Sequence, residues 1–312
     1  MNRLWRILGI LLALTAGGYF LVHAYHALSG QDLRGIWQPS VLISGLFLTL
    51  LYALLIPVTA LAWSLILRNL GSPTRFELAN AILATTQFGK YLPGNVAHHL
   101  GRVVLAKKHG VSAGNTVMSM SYEILLTLLA CAHVSAITLL WEPPEALADW
   151  PLANHRGLLV AIVTGAAILG MALLPRFAGW IAHRRAPEST PARTPRLRTG
   201  NAATCYVLYV ANFALVGVGL WLCANVLSGS SPAPGLPLMI GAFASSWILG
   251  FLAPGAPAGL GVREAALTAW MQGSMDPVPC ITLVIVLRIA TTLGDLANFI
   301  IGGVLLARQG KH

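Results

Sequence analysis

The sequence has 312 residues, of which 56% are hydrophobic and 10% charged, and 20 Lys and Arg residues against 10 acidic residues give a formal net charge of +10. Soluble proteins carry about 25% charged residues, so this composition excludes a disordered chain, a basic nucleic-acid-binding domain and most soluble enzyme folds. It predicts a single integral membrane domain of the all-α polytopic class over residues 1–312.

Six apolar stretches are long enough to cross a bilayer, whose hydrocarbon core of about 30 Å needs about 20 helical residues. The first resembles a signal peptide because Arg3 and Arg6 precede it, but its cleavage pattern is weak and we favour a retained helix. The six predicted spans are residues 8–28, 41–67, 115–141, 157–174, 202–227 and 278–306.

The Lys and Arg residues predict the orientation, because short cytoplasmic loops carry an excess of them. With a cytoplasmic N-terminus, six crossings place most of the 20 cations inside and the loop that holds Glu142 and Glu145 outside. Both termini are therefore predicted to be cytoplasmic. The arginine-rich segment 183–200 is predicted to be a basic cytoplasmic linker between a first half, residues 1–182, and a second half, residues 201–312.

Two apolar regions are interrupted by residues that cannot continue a helix. In residues 77–108 the break is Leu-Pro-Gly at 92–94, and both ends are predicted to be cytoplasmic. We call this region the first hairpin. In residues 237–274, the second hairpin, a Pro- and Gly-rich break at 254–261 separates two helices, and the pair is predicted to open to the outside. Two full crossings remain the alternative for the second hairpin.

Broken helices at membrane depth occur only where they are buried in protein or line a cavity. Two of them in corresponding places, re-entrant from opposite sides, match the inverted-repeat layout of transporters. The sequence thus predicts about six full transmembrane helices plus two oppositely oriented re-entrant helical hairpins.

Ionisable side chains in these apolar segments are candidates for function, because a charge at the bilayer centre costs at least about 2.5–3.5 kcal/mol. Seven such groups are present: Lys90, Arg102, Glu123, Arg263, Glu264, Arg288 and Asp295.

The first hairpin is predicted to bind an anion such as a lipid phosphate. Asn95 is a suitable N-cap for the helix that carries His98 and Arg102, and the free N–H groups of a helix start attract anions. Lys90 and Arg102 add positive charge. The alternative is that Lys90 reaches the membrane interface and Arg102 faces the cytoplasm.

The second hairpin is predicted to hold a second anion site, at which Gly259 and Gly261 let the backbone approach a ligand and Arg263 supplies charge. Glu264 is expected to fix a neighbouring arginine, and a structural network of Arg263 with Glu264 is the alternative.

Arg288 and Asp295 are seven residues apart in the last span and share one helix face. Glu123 is the candidate counter-ion for this face. Glu123, Glu264 and Asp295 could act in proton coupling or serve only as structural ion pairs. No metal ligands, cofactor motif or nucleophile–base spacing is recognisable, so neither a metal nor a cofactor is expected.

Two segments resemble signatures of the lysylphosphatidylglycerol synthase transmembrane (flippase-like) family. They are QFGKYLPGNV at residues 87–96, with Arg102 downstream, and PAGLGVRE at residues 257–264. Ala258 departs from the family, which usually has the first of two glycines there. The resemblance implies that Lys90, Arg102, Arg263 and Arg288 contact a lipid headgroup. The chain ends at His312, soon after the last span, so synthase activity is not expected.

The resemblance implies a lipid translocase of the bacterial inner membrane, not an enzyme. Its substrate would be a polyprenyl-phosphate-linked sugar or an anionic or aminoacylated phospholipid. Expected partners are membrane lipids with anionic headgroups and envelope or glycan-biosynthesis enzymes, but not nucleic acid. Two alternatives remain: an enzyme that acts on a lipid phosphate with Glu123 as its acid, and a non-catalytic membrane scaffold.

Overall fold

The computed structural model describes residues 37–91, 97–145, 155–185, 197–253 and 256–309, together with the isolated positions 18, 22 and 25. These residues form ten α-helices and no β-strand, which confirms the predicted all-α class. The helices are α1 (Pro39–Ala53), α2 (Leu55–Asn69), α3 (Phe76–Gln87), α4 (Ala97–Lys108), α5 (Ala113–Trp141), α6 (Arg156–Arg185), α7 (Thr199–Ser228), α8 (Leu236–Leu252), α9 (Val262–Met271) and α10 (Pro277–Gln309).

Five helical segments of the described part are long and apolar enough to cross a membrane. They are α1 with α2, then α5, the first part of α6, α7 and α10, and they match five of the six predicted spans. The remaining predicted span, residues 8–28, lies outside the described residues apart from the helical positions 18, 22 and 25.

The junction of α1 and α2 follows from one proline. Pro57 has no N–H to donate to the carbonyl of Ala53 four residues earlier, and the helix is interrupted at Leu54. Asn298 of α10 donates its side-chain amide to that carbonyl at 3.1 Å instead. The two segments therefore form one membrane span with a satisfied break.

Both predicted hairpins are pairs of short helices in the structure. At 1.5 Å per residue the twelve residues each of α3 and α4 reach about 18 Å, and α9 reaches about 15 Å. None of these three crosses a 30 Å core. A 3₁₀ turn, Phe88–Tyr91, follows α3, and another, Pro257–Gly259, precedes α9. The re-entrant path of each pair through a bilayer stays a prediction.

The first helix of each pair packs on a long helix of the other half of the chain. α3 lies against α10, and α8 lies against α5. A glycine allows each close approach, because a Cβ at Gly302 would lie 2.6 Å from Thr85 N and one at Gly241 would lie 2.5 Å from Thr138 Oγ1. The two 3₁₀ turns, Phe88–Tyr91 and Pro257–Gly259, contact each other.

The predicted division of the chain falls at the linker 183–200. Its residues 186–196 lie outside the described residues, and the boundaries of the two halves stay a prediction. A polar contact joins the two halves just after the C-terminus of α5. There Glu142 accepts hydrogen bonds from the backbone N–H groups of Gly235 at 2.7 Å and Leu238 at 3.3 Å. The carboxylate thereby caps the N-terminus of α8.

Candidate functional site

The first break is a tight turn that fixes Lys90. A Cβ at Gly89 would lie 2.8 Å from the backbone N of His98, so only glycine fits between this turn and the start of α4. Lys90 and Tyr91 follow at the end of the turn and reach α10. Asn95, the predicted N-cap, lies outside the described residues.

Lys90 forms an ion pair with the fully buried Asp295 in the middle third of α10. Lys90 Nζ lies 2.7 Å from Asp295 Oδ2 and donates to the Tyr52 hydroxyl at 3.0 Å. The Tyr91 hydroxyl donates to the same carboxylate oxygen at 2.6 Å. A buried carboxylate is tolerated only when paired and hydrogen-bonded, so this cluster ties the first hairpin to α10 and α1.

Arg102 forms a second buried ion pair. Its Nη1 lies 2.9 and 2.8 Å from the two carboxylate oxygens of Glu123, and the guanidinium lies 5.1 Å from the centre of the Trp63 ring. Arg102 is only 4% exposed. The pair joins α4 to α5, and Arg102 is buried and does not face the solvent.

The second break contains three residues in the left-handed region. Their φ values are 51° for Ala258, 71° for Gly259 and 81° for Gly261. Ala258 is strained there, since a Cβ disfavours positive φ. The backbone thus has a positive φ at this position although the residue is not glycine.

Glu264 occupies the N-terminus of α9. Its Oε2 accepts a hydrogen bond from Gly261 N at 2.8 Å, and its Oε1 lies 3.3 Å from Nη1 of Arg288. The chain's own carboxylate therefore sits where the helix start would attract an anion. The same carboxylate is the partner of Arg288, and Glu123 is not.

Arg263 lacks an acidic partner among the described residues, unlike the other three candidate cations, Lys90, Arg102 and Arg288. Its Nε is buried without a hydrogen-bond partner, and its guanidinium lies 5.7 Å from the centre of the Trp247 ring. A Cβ at Gly250 would overlap its Cγ, and one at Gly259 would lie 2.6 Å from its Nε. Both glycines therefore make room for this side chain.

A cavity of about 200 Å³ lies between the two breaks, beside the middle thirds of α5 and α7. One part of its wall is polar and charged, and another is aromatic. The polar part includes Tyr52, Lys90, His98, His99, Arg102, Glu123, Tyr209, Asn212 and Asp295, and the aromatic part includes Phe213, Phe243, Trp247 and Phe251. Arg263 also lines it.

A second, small cavity of about 30 Å³ lies on the other side of Arg263. Its wall includes Glu264, Arg288 and Thr291. Arg263 and Phe243 line both cavities. These two side chains therefore form the partition between the spaces.

The structure divides the predicted site residues between the two cavities. Six of them, Lys90, His98, Arg102, Glu123, Arg263 and Asp295, line the larger one, whereas Arg288 and Glu264 line the smaller one. Gly259 and Gly261 shape the turn beside them. The described residues contain no group of three His, Cys, Asp or Glu side chains arranged to hold a metal ion.

Sequence reasoning missed several residues of the cavity wall, among them Tyr52, Tyr209, Asn212 and Trp247. Three of them look like ordinary aromatic residues of apolar spans. Asn212 offered a signal, because a carboxamide inside a transmembrane helix needs a hydrogen-bond partner. Its Nδ2 donates to Thr59 Oγ1 at 3.1 Å, and its Oδ1 is buried without a partner.

Residues 6–297 match the protein family described as the lysylphosphatidylglycerol synthase TM region. The chain belongs to this family. It is therefore a multi-pass membrane protein involved in lipid handling, as family membership and its apolar helices together show. No curated protein matches the sequence.

Proposed function

We propose that the protein translocates a phosphate-bearing lipid across the bacterial inner membrane and that Arg263 binds the phosphate. The observation that carries this proposal is the unpaired state of Arg263 among the described residues. An uncompensated charge at membrane depth costs several kcal/mol. A bound anion removes this cost, because a phosphodiester accepts the charge-assisted hydrogen bonds of a guanidinium.

The wall of the larger cavity suits an amphiphile. Charged and hydroxyl-bearing side chains surround one part, where a headgroup finds hydrogen-bond partners. Phe213, Phe243, Trp247 and Phe251 surround another part, where an acyl or isoprenoid chain is stabilised by apolar contact. A soluble anion would gain nothing from the aromatic wall.

The position of Arg263 between the two cavities supports passage of the headgroup. A phosphate held by this guanidinium in the larger cavity can be handed to the side of Arg288 by a change in side-chain conformation. The two hairpins are predicted to open to opposite faces of the membrane. Opening of one hairpin at a time would expose Arg263 to each side in turn.

Translocation is favoured over chemistry on the lipid by the contacts of Glu123. Both of its carboxylate oxygens accept hydrogen bonds from Arg102. A general acid needs a carboxyl oxygen that can donate a proton to a leaving group, and both oxygens of Glu123 act as acceptors toward Arg102. The protein is therefore proposed to be a transporter.

Native mass spectrometry of the purified protein after incubation with a bacterial inner-membrane lipid extract tests the proposed phosphate contact. The wild type is expected to retain a phosphate-bearing lipid that Arg263→Gln loses. Arg308→Gln is the matched control, because Arg308 is exposed in the last turn of α10 and lines neither cavity. Equal retention by wild type and Arg263→Gln would contradict the proposal and favour a scaffold.

A further inference from the structure

The charges around the larger cavity constrain the net charge of its ligand. Lys90, Arg102 and Arg263 supply three positive charges, and Glu123 and Asp295 supply two negative charges. Two ion pairs cancel, and Arg263 remains. A ligand with one negative charge therefore neutralises the wall, whereas a dianion or a cation leaves a buried charge without compensation.

His98 and His99 do not change this balance. Their ring centres are 3.8 Å apart, and each has a buried Nδ1 without a hydrogen-bond partner. Neither forms an ion pair with an acid among the described residues, and both line the cavity together with Arg102. Burial beside like charges disfavours the protonated form, so both imidazoles count as neutral.

The cavity wall also favours a ligand that carries both hydrogen-bond donors and hydrogen-bond acceptors. Unpartnered buried polar atoms lie on seven of its side chains, and leaving such atoms unpaired costs free energy. Some are donors and others are acceptors. They are His98 Nδ1, His99 Nδ1, Arg102 Nε, Tyr209 Oη, Asn212 Oδ1, Arg263 Nε and Asp295 Oδ1.

We infer that the lipid is a monoanionic phosphodiester whose headgroup carries free hydroxyl groups. Hydroxyls both donate and accept, and the phosphodiester supplies the single negative charge. This inference rests on the proposed function and narrows its substrate class. Glycerophospholipids with a glycerol headgroup and isoprenoid phosphates that carry one sugar share this chemistry, whereas aminoacylated and diphosphate-linked lipids lack it.

Competition experiments with matched lipid pairs test the charge, using native mass spectrometry of the full-length protein. Phosphatidylglycerol competes with lysyl-phosphatidylglycerol, and farnesyl-phosphoryl-glucose competes with farnesyl-diphosphoryl-glucose. The monoanion of the pair that binds is expected to be preferred on the order of tenfold or more, because its rival leaves a buried charge unpaired. The pair that binds identifies the source of the ligand.

The hydroxyl requirement has its own comparison. Phosphatidylglycerol is set against phosphatidylethanol, and farnesyl-phosphoryl-glucose against farnesyl methyl phosphate, so that charge stays constant while the hydroxyls are removed. Loss of retention with the hydroxyl-free lipid supports the inference. Equal retention of both members overturns it.

Asn212→Asp tests the charge balance from the side of the protein. It is nearly isosteric and brings the wall to a net charge of zero, so the preference for phosphatidylglycerol over phosphatidylethanolamine is expected to fall about tenfold. Asn225→Asp makes the same change at an exposed position of the same helix that does not line the cavity. It is expected to keep the wild-type preference, and a fall of the same size in both variants would overturn the inference.

The outcomes separate this inference from the proposed function. Retention that does not depend on Arg263 for any probe contradicts the proposed function itself. Retention that depends on Arg263 but favours the aminoacylated or diphosphate lipid, or shows no preference, overturns only the inferred class.

Discussion

Four cations lie on the two predicted hairpins and in the middle third of α10, and their surroundings differ. Lys90, Arg102 and Arg288 each have a carboxylate within 3.3 Å, whereas Arg263 has none among the described residues. A paired buried ion fixes the arrangement of helices, and an unpaired one is costly until a ligand arrives. The first three side chains therefore join helices of the site, and Arg263 is left for the proposed ligand.

Removal of one partner of the Arg102–Glu123 pair is expected to destabilise the protein. Glu123→Gln leaves Arg102 buried without compensation, which costs about 3–5 kcal/mol in the free energy of unfolding. The double variant Arg102→Gln/Glu123→Gln leaves no unpaired charge and is expected to lose less. Denaturant titrations of both single variants and the double variant in detergent measure the coupling, and additive losses would contradict the pairing.

Gly250 is expected to matter because it makes room for Arg263. Gly250→Ala places a Cβ against Arg263 Cγ and so displaces the guanidinium, which should reduce lipid retention. Gly303→Ala is the matched control, because nothing lies within 4 Å of its added Cβ. In a helix that change should stabilise the fold by about 0.5–1 kcal/mol. Native mass spectrometry compares retention, and equal values for both variants would show that the Arg263 conformation is unimportant.

At the scale of helices, the two broken pairs share one design. Each has a short helix, a 3₁₀ turn and a second short helix, and the two turns contact each other. The ring centre of Tyr91, in the first turn, lies 6.0 Å from the Arg288 guanidinium, and the Tyr91 hydroxyl donates a hydrogen bond to Asp295. Arg288 and Asp295 both lie in the middle third of α10. The turns therefore lie at the depth of the middle of a long transmembrane helix, which supports the re-entrant path.

Cysteine accessibility distinguishes a re-entrant second hairpin from two full spans. Leu260→Cys is placed at the tip, in a background whose native cysteines are replaced by alanine. If the hairpin is re-entrant, this cysteine is not labelled by a membrane-impermeant maleimide from the cytoplasmic side. Arg308→Cys should be labelled from that side only, and Asp276→Cys from the outer side only. Rapid cytoplasmic labelling at position 260 would indicate two full spans.

At the scale of the whole molecule, hydropathy predicted the five long apolar segments of the described part, and breaking residues predicted that each hairpin region is divided into two helices. The Leu-Pro-Gly break at 92–94 itself lies outside the described residues. These features are local: runs of apolar residues, Pro-Gly at 93–94 and the glycines at 259 and 261. The N-terminal cap by Glu264 is also local, since Glu264 lies three positions after Gly261.

The partners of the ion pairs could not be predicted, because they depend on how helices of one half of the chain pack on helices of the other half. Lys90 and Asp295 lie far apart in sequence, and they meet only because α3 packs against α10. Before that packing is known, every intramembrane acid is an equal candidate for every cation. The unpaired state of Arg263 is likewise a result of the whole arrangement.

The most direct test of the central claim is lipid translocation in proteoliposomes. Fluorescent phosphatidylglycerol and radiolabelled farnesyl-phosphoryl-glucose are followed as they become accessible from outside, for wild type, Arg263→Gln and Arg308→Gln at equal protein content. Wild type and Arg308→Gln are expected to translocate at least one probe well above protein-free vesicles, and Arg263→Gln is expected to match the protein-free vesicles. Translocation by Arg263→Gln at the wild-type rate, or none of either probe by the wild type, would contradict the account.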